Sequence, residues 1–209
     1  MNKEEDFQSA LILAGGKSTR MGFDKQKLSI EEEPIIYKNI KELKSIFREV
    51  MVVTKTPESY RGLCDIILQD EFKEVGPLGG IHVGLKYCSS KYLMVMACDM
   101  PIIDKDYLLH LRAIGIKNNY KGLLGEKEGF LEPFPGFYSK DFILDIEENL
   151  SLEKRSIRDI LKDNSIYVEK DLSNFNKDMF LNLNTLKDLT NYKKSILNNK
   201  EDDLNDKRV

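Results

Sequence analysis

The run from Leu11 to Lys25, Leu-Ile-Leu-Ala-Gly-Gly-Lys-Ser-Thr-Arg-Met-Gly-Phe-Asp-Lys, passes from apolar residues into a glycine-rich stretch holding several cations. Gly15 and Gly16 let the backbone approach a ligand closely and take conformations that other residues find costly. Exposed N–H groups in such a loop can cradle phosphate oxygens. Arg20 and Lys25 add full positive charge, and arginine can grip phosphate through two N–H groups at once. A triphosphate needs that combination. The segment is not a Walker P-loop, because Gly-Lys-Ser/Thr does not follow the required gap, and its glycine spacing differs from the dinucleotide fingerprint. Two glycines after a strand can also be a plain tight turn; the cations in the same loop favour phosphate.

A second signal is Met94-Val95-Met96-Ala97-Cys98-Asp99-Met100-Pro101, an apolar strand that delivers a carboxylate at its carboxyl end. Ligands of open α/β sheets bind at that edge. Asp99 is the candidate Mg²⁺ ligand, since Mg²⁺ takes one or two carboxylates and completes its shell with phosphate and water. Its alternative role is to cap the next turn. Asp70 likewise closes a short apolar run and is followed by Gly76-Pro77-Leu78-Gly79-Gly80, which is a helix start and can also bring backbone close to a base or ribose. Asn182 and Asn184 alternate within Phe180–Thr185; on a strand both amides face one way, which suits a polar, multiply hydrogen-bonding ligand. Asn184 and Thr185 are also candidates to cap the last helix. His82 has no carboxylate or serine placed beside it in sequence and reads as a surface or packing residue.

These residues need a frame. Ala10–Ala14, Val50–Thr54, Cys64–Gln69 and Tyr92–Ala97 read as strands, the last apolar throughout and so buried on both faces. Residues 34–47, 79–88 and 104–113 read as helices, the first with Ile35, Ile36, Ile40, Leu43 and Phe47 near a 3.6 period, the third with Asp104 as N-cap. Past residue 120 the pattern is less regular. Strands are expected over 121–124, 165–170 and 180–183, and helices over 139–150, 157–163 and from Thr185. Pro135 argues against a regular central strand over 134–138. The βαβ alternation predicts an α/β fold: a single Rossmann-like domain, with a mostly parallel central sheet and helices on both faces. Its expected bounds are residues 9–197, between a flexible extension (1–8) and a charged, disordered tail (198–209).

The 209 residues suit one such domain. A net charge of −3 offers no basic excess for nucleic acid. No apolar run is long enough to span a membrane, and the polar, acidic start resembles neither a signal nor a transit peptide, so a cytoplasmic location is expected. Cys64, Cys88 and Cys98 form no Cys-x-x-Cys pair, which favours reduced thiols; Cys98, beside Asp99, reads as a packing residue.

The pattern Leu-Ala-Gly-Gly-x-x-x-Arg-Met-Gly-x-Asp-Lys, filled from Leu13 to Lys25, resembles the molybdenum cofactor guanylyltransferases of the nucleotidyltransferase superfamily. With the segments around Asp70, Asp99 and Asn182 the resemblance spans about residues 9 to 190. It implies that Leu13, Ala14, Gly15, Gly16, Lys25, Asp70 and Asp99 meet the nucleotide. It also implies that Arg20, Lys25 and Asp99 serve catalysis, that Asp99 holds Mg²⁺, and that Asn182 and Asn184 lie on the acceptor side. Glu132-Pro133-Phe134 and Lys154-Arg155-Ser156 are similar to less specific segments of the same family. Thr54 departs from it, standing where these enzymes often carry Asn. The implied reaction moves GMP from GTP to the phosphate of a molybdopterin-type cofactor and releases pyrophosphate. Gly15 favours GTP, since cytidylyl relatives tend to carry Ala there. A cytidylyltransferase or sugar-1-phosphate enzyme of the same fold is the near alternative, and a non-catalytic GTP- or cofactor-binding assembly factor the distant one. Transient contact with cofactor-synthesis proteins or target molybdoenzymes is compatible with each.

Overall fold

In a computed structural model, which describes residues 3–15, 28–30, 33–72, 75–162 and 165–206, the expected alternation builds one seven-stranded sheet. In chain order the elements are β1 (Ser9–Ala14), β2 (Ser29–Ile30), β3 (Glu33–Pro34), α1 (Ile35–Lys44), β4 (Glu49–Thr54), β5 (Ile66–Leu68), α2 (Pro77–Tyr87) and β6 (Tyr92–Ala97). There follow α3 (Lys105–Lys117), β7 (Gly122–Lys127), β8 (Phe130–Ser139), α4 (Phe142–Ser151), α5 (Ile157–Lys162), β9 (Ile166–Glu169) and α6 (Leu186–Asp206). The sheet order is β5-β4-β1-β6-β8-β7-β9, and β2 and β3 form a separate antiparallel pair. All neighbours are parallel except β8, which runs against both β6 and β7.

Both faces of the central strands are apolar because both are covered. Ala10, Ile12, Met94 and Met96 pack with Ile36, Ile40 and Leu43 of α1 and Tyr107, Leu108 and Leu111 of α3. The alternate residues, Leu11, Leu93 and Val95, pack with Leu78, Ile81 and Leu85 of α2, Phe142 and Ile146 of α4, and Ile160 and Leu161 of α5. The period-2 alternation of side chains thus distributes one continuous apolar run between two cores. Among the described residues no helix is long and apolar enough to cross a membrane.

Several elements differ from expectation. Phe130–Ser139 is a strand inside the sheet despite its prolines. β6 pairs with residues 136–139, and β7 with residues 130–132 and 137–138, so Pro133 and Pro135 fall where the ladders are interrupted. That is where a residue lacking an N–H does least harm. Phe180–Leu183 is not a strand: a 3-10 helix, Lys177–Phe180, leads into irregular chain. Residues 3–7, read as part of a flexible extension, form a 3-10 helix. Its Phe7 is 1% exposed, stacked on Tyr92 at 4.2 Å and edge-on to Phe137 at 5.4 Å. α6 continues past the boundary at residue 197, in a stretch free of Gly and Pro.

Because Phe7 fills a core position, Phe7→Ala is expected to lower stability by about 3–5 kcal/mol. Urea unfolding followed by circular dichroism measures this, and a loss under about 1 kcal/mol would show that the N-terminal segment is not part of the core.

Candidate functional site

The sheet order places β4 on one side of β1 and β6 on the other, so consecutive connections diverge beyond the carboxyl ends of these strands. A crevice forms at such a switch point, and open α/β sheets bind ligands there. Leu13, Ala14 and Gly15 end or follow β1; Thr54 ends β4; Asp70 lies just beyond β5; and Asp99 lies just beyond β6. The structure therefore gathers these residues on one edge. Gly16, Arg20 and Lys25 lie outside the described residues. A Cβ on Gly15 would meet no described atom within 4 Å.

Asp99 is 6% exposed and is carried by a closely tied turn. The Cys98 N–H donates to the Leu13 carbonyl at 3.1 Å, and the Met100 N–H to Ala97 at 3.3 Å. The Asp99 carbonyl accepts from the Leu183 N–H at 2.9 Å, and the Met100 carbonyl from Asn39 Nδ2 at 2.8 Å. The Leu183 bond brings the Asn182–Asn184 segment beside Asp99. Asn182 Nδ2 donates to the Phe180 carbonyl at 3.0 Å, and the Asn184 and Thr185 N–H groups donate to the Asp188 carboxylate. Thr185 Oγ1 in turn accepts from the Asp188 N–H at 3.0 Å, a reciprocal cap on α6. Thr185 is thus the cap, while the side chain of Asn182 is turned to its own backbone.

Asp70 sits over the start of α2. Gly76 has φ +66°, a conformation suited to glycine, and Pro77 occupies the first helical turn. A Cβ on Gly79 would lie 2.1 Å from Asp70 Oδ1, so this carboxylate occupies the space that glycine leaves on the first turn. Oδ1 accepts from the Phe72 N–H at 3.1 Å. Surrounding protein desolvates the carboxyl and raises its pKa, against the lowering effects of that bond and of Lys55 and His82. Farther along α2, Cβ atoms on Gly80 and Gly84 would press on Leu13 and Leu11 within 2.6 Å, so the small residues set the helix directly on β1.

His82 is a packing residue, 3% exposed, with Nε2 2.9 Å from Glu147 Oε1 and its ring edge-on to Phe72. Thr54 is buried, and its hydroxyl accepts from the Thr56 N–H at 3.0 Å, closing its own loop. Cys98 packs in the core. Glu132 lies on the part of β8 that extends past the paired end of β6; burial raises its pKa, while Arg158 and Lys127 oppose that. Asn39, which sequence reading did not single out, is the α1 residue whose side chain bonds the turn at Asp99 and Met100. It interrupts an otherwise apolar stripe on α1, and that interruption was its signal.

Among the described residues no cluster of three or more His, Cys, Asp or Glu could hold a metal. A buried carboxylate at the sheet edge fits a hard cation that shares its shell with phosphate and water, and does not fit a protein-enclosed zinc site.

The MobA-like NTP transferase domain model matches residues 10–169. The chain is 38% identical over 192 residues to the molybdenum cofactor guanylyltransferase of Syntrophotalea carbinolica, covering 90% of this chain and 91% of that one. It is 39% identical over 198 residues to a protein named probable molybdenum cofactor guanylyltransferase from Peptoclostridium acidaminophilum, covering 89% and 88%. Its fold is similar to the crystal structure of molybdopterin-guanine dinucleotide biosynthesis protein A from Archaeoglobus fulgidus, with a TM-score of 0.79 and 24% identity over 91% of this chain and 99% of that chain.

The raised pKa of Asp70 has a signed consequence. The folded chain holds this proton more tightly than the unfolded chain, so the group's contribution to stability falls as pH rises above about 3.9. Asp70→Asn is expected to remove that loss, leaving the melting temperature at pH 7 equal to or above that of the parent chain. A lower value at pH 7 with an unchanged acid profile would refute it.

Proposed function

The chain belongs to the MobA-like NTP transferase family, and on that footing we propose that it transfers GMP from GTP to the phosphate of a molybdopterin-type cofactor. The products are a guanine dinucleotide cofactor and pyrophosphate. The observation that carries this reading is the convergence of Leu13–Gly15, where the nucleotidyltransferase pattern of residues 13–25 begins, with Asp70 and Asp99 on one sheet edge.

An acceptor phosphate oxygen forms the new bond to the α-phosphorus of GTP. The bond from that phosphorus to the bridging oxygen breaks, and its electrons leave with pyrophosphate. The attacking oxygen is already anionic near neutral pH, so no general base is required. The protein's work is then positioning and charge stabilisation. In this reading the backbone at Ala14, Gly15 and Gly16 lies against the triphosphate. Arg20 and Lys25, assigned from sequence, neutralise its charge. Asp70 accepts from donor groups of the nucleoside; its desolvated carboxylate gains most from a new donor. Asp99 is the residue that would hold Mg²⁺, which when bound supplies charge neutralisation at phosphate oxygens. The acceptor lies on the side of Asn182 and Asn184, next to the turn that carries Asp99.

The test is pyrophosphate release with Mg²⁺, molybdopterin cofactor and each of the four nucleoside triphosphates. Release with GTP is expected; release with CTP alone would move the assignment to a cytidylyltransferase, and no release from folded protein with active acceptor would overturn it. Lys25→Ala and Asp99→Ala are each expected to lower kcat by about 10²–10³-fold with the circular dichroism spectrum retained. Gly79→Ala is expected to act differently. It improves helix propensity but displaces the Asp70 carboxylate, so GTP affinity falls by about tenfold without loss of melting temperature.

A further inference from the structure

The buried face of α1 consists of Ile35, Ile36, Asn39, Ile40 and Leu43. Asn39 is 0% exposed, at a position where the helical period asks for an apolar side chain. Burying an amide is unfavourable unless its groups are bonded. Its Oδ1 has no hydrogen-bond partner among the described residues, so the burial is only partly compensated. What the amide provides is one bond, from Nδ2 to the Met100 carbonyl at 2.8 Å, reaching across 61 residues of sequence. That carbonyl belongs to the residue after Asp99, and the Asp99 carbonyl is bonded by the Leu183 N–H. The two successive carbonyls are therefore held from two separate elements. Leucine has the same branching at Cγ but is larger, and it could not hold the Met100 carbonyl.

We propose that Asn39 is a positioning residue: its amide fixes the Asp99–Met100 turn against α1, and so sets where the Asp99 carboxylate stands at the sheet edge. The Leu183 bond restrains the same turn from the C-terminal segment, and the Cys98-to-Leu13 bond ties it to β1. With all three in place the turn has little freedom. Without the Asn39 bond the turn loses its tie to α1. The consequence for turnover rests on the guanylyltransferase reading above; the geometric role does not. A displacement near 1 Å in such a group can cost about a hundredfold in rate, and the loss should fall on kcat and on the Mg²⁺ concentration needed, with the KM for GTP little changed.

The experiment compares the full-length parent chain with Asn39→Leu and Asn39→Ser. Leucine keeps the branching at Cγ and removes the polarity, whereas serine keeps polarity but cannot reach Met100. Amide hydrogen exchange of the unliganded protein, read on peptides covering residues 97–104 and 181–185, is the first measurement. Both variants are expected to exchange there about five- to tenfold faster, with peptides of β4 and α2 unchanged. The kcat of Asn39→Leu should fall about ten- to a hundredfold at a temperature where its circular dichroism spectrum matches that of the parent. If Asn39→Leu does not fold, Asn39→Ser gives the same two readouts. Parent-like exchange in both variants, or faster exchange with parent-like kcat and Mg²⁺ dependence, overturns the proposal. An inactive parent chain would overturn the guanylyltransferase reading instead, and the exchange comparison would still decide whether Asn39 holds the turn.

Discussion

The last rung between β1 and β6, from the Cys98 N–H to the Leu13 carbonyl, is the interaction on which the site depends. Up to that rung the two strands are parallel neighbours in register, Leu13 opposite Ala97. Beyond it their chains must part, because β1 is followed by the glycine-rich segment and β6 by the turn at Asp99. A buried parallel strand has no solvent to satisfy its backbone, so its end must be closed by specific bonds or lie open at an edge. Here the Asp99 turn is closed by bonds from β1, α1 and the C-terminal segment, while Gly15 faces open space among the described residues. The Asp99 side of the crevice is thus held from three parts of the chain, which suits a carboxylate that must meet its ligand in one place.

The glycines of α2 extend the same logic to the nucleotide side. Gly80 and Gly84 let the helix lie on Leu13 and Leu11, and this close seating brings the first turn of α2 to the level of the strand ends. Asp70 then occupies the space at Gly79. Its placement near a helix N-terminus favours the anion, while desolvation opposes it and sets the direction of the pKa shift. Among the described residues this carboxylate accepts from one backbone N–H, that of Phe72.

Much of this was legible before the fold was known. The strands β1, β4, β5 and β6 stand out because apolar runs bounded by turn residues leave few alternatives, and Asp70 and Asp99 follow as residues at strand ends. Legibility failed where long-range partners overrule local pattern. Pro133 and Pro135 signal an interrupted strand, but only the pairing with β6 and β7 shows that the gaps in the ladders coincide with them. The alternating Asn182 and Asn184 resemble a strand, yet the Leu183 N–H is taken by Asp99, and Asp188 draws the next two N–H groups into a helix cap. Phe7 is one aromatic in a polar stretch, and its partners, Tyr92 and Phe137, lie far along the chain.

Asn39 shows the same limit in the catalytic half of the argument. Locally, an amide on the apolar face of α1 breaks the helical pattern. In the fold it is the side chain from which α1 reaches the turn beyond β6, with an unbonded Oδ1 among the described residues. Its Nδ2, the atom that is bonded, is the one that ties α1 to that turn. Asn39 and Asp70 therefore belong together: each accepts a cost at rest, one by burying an amide and one by crowding a charge, and each does so beside the edge where ligands of such sheets bind.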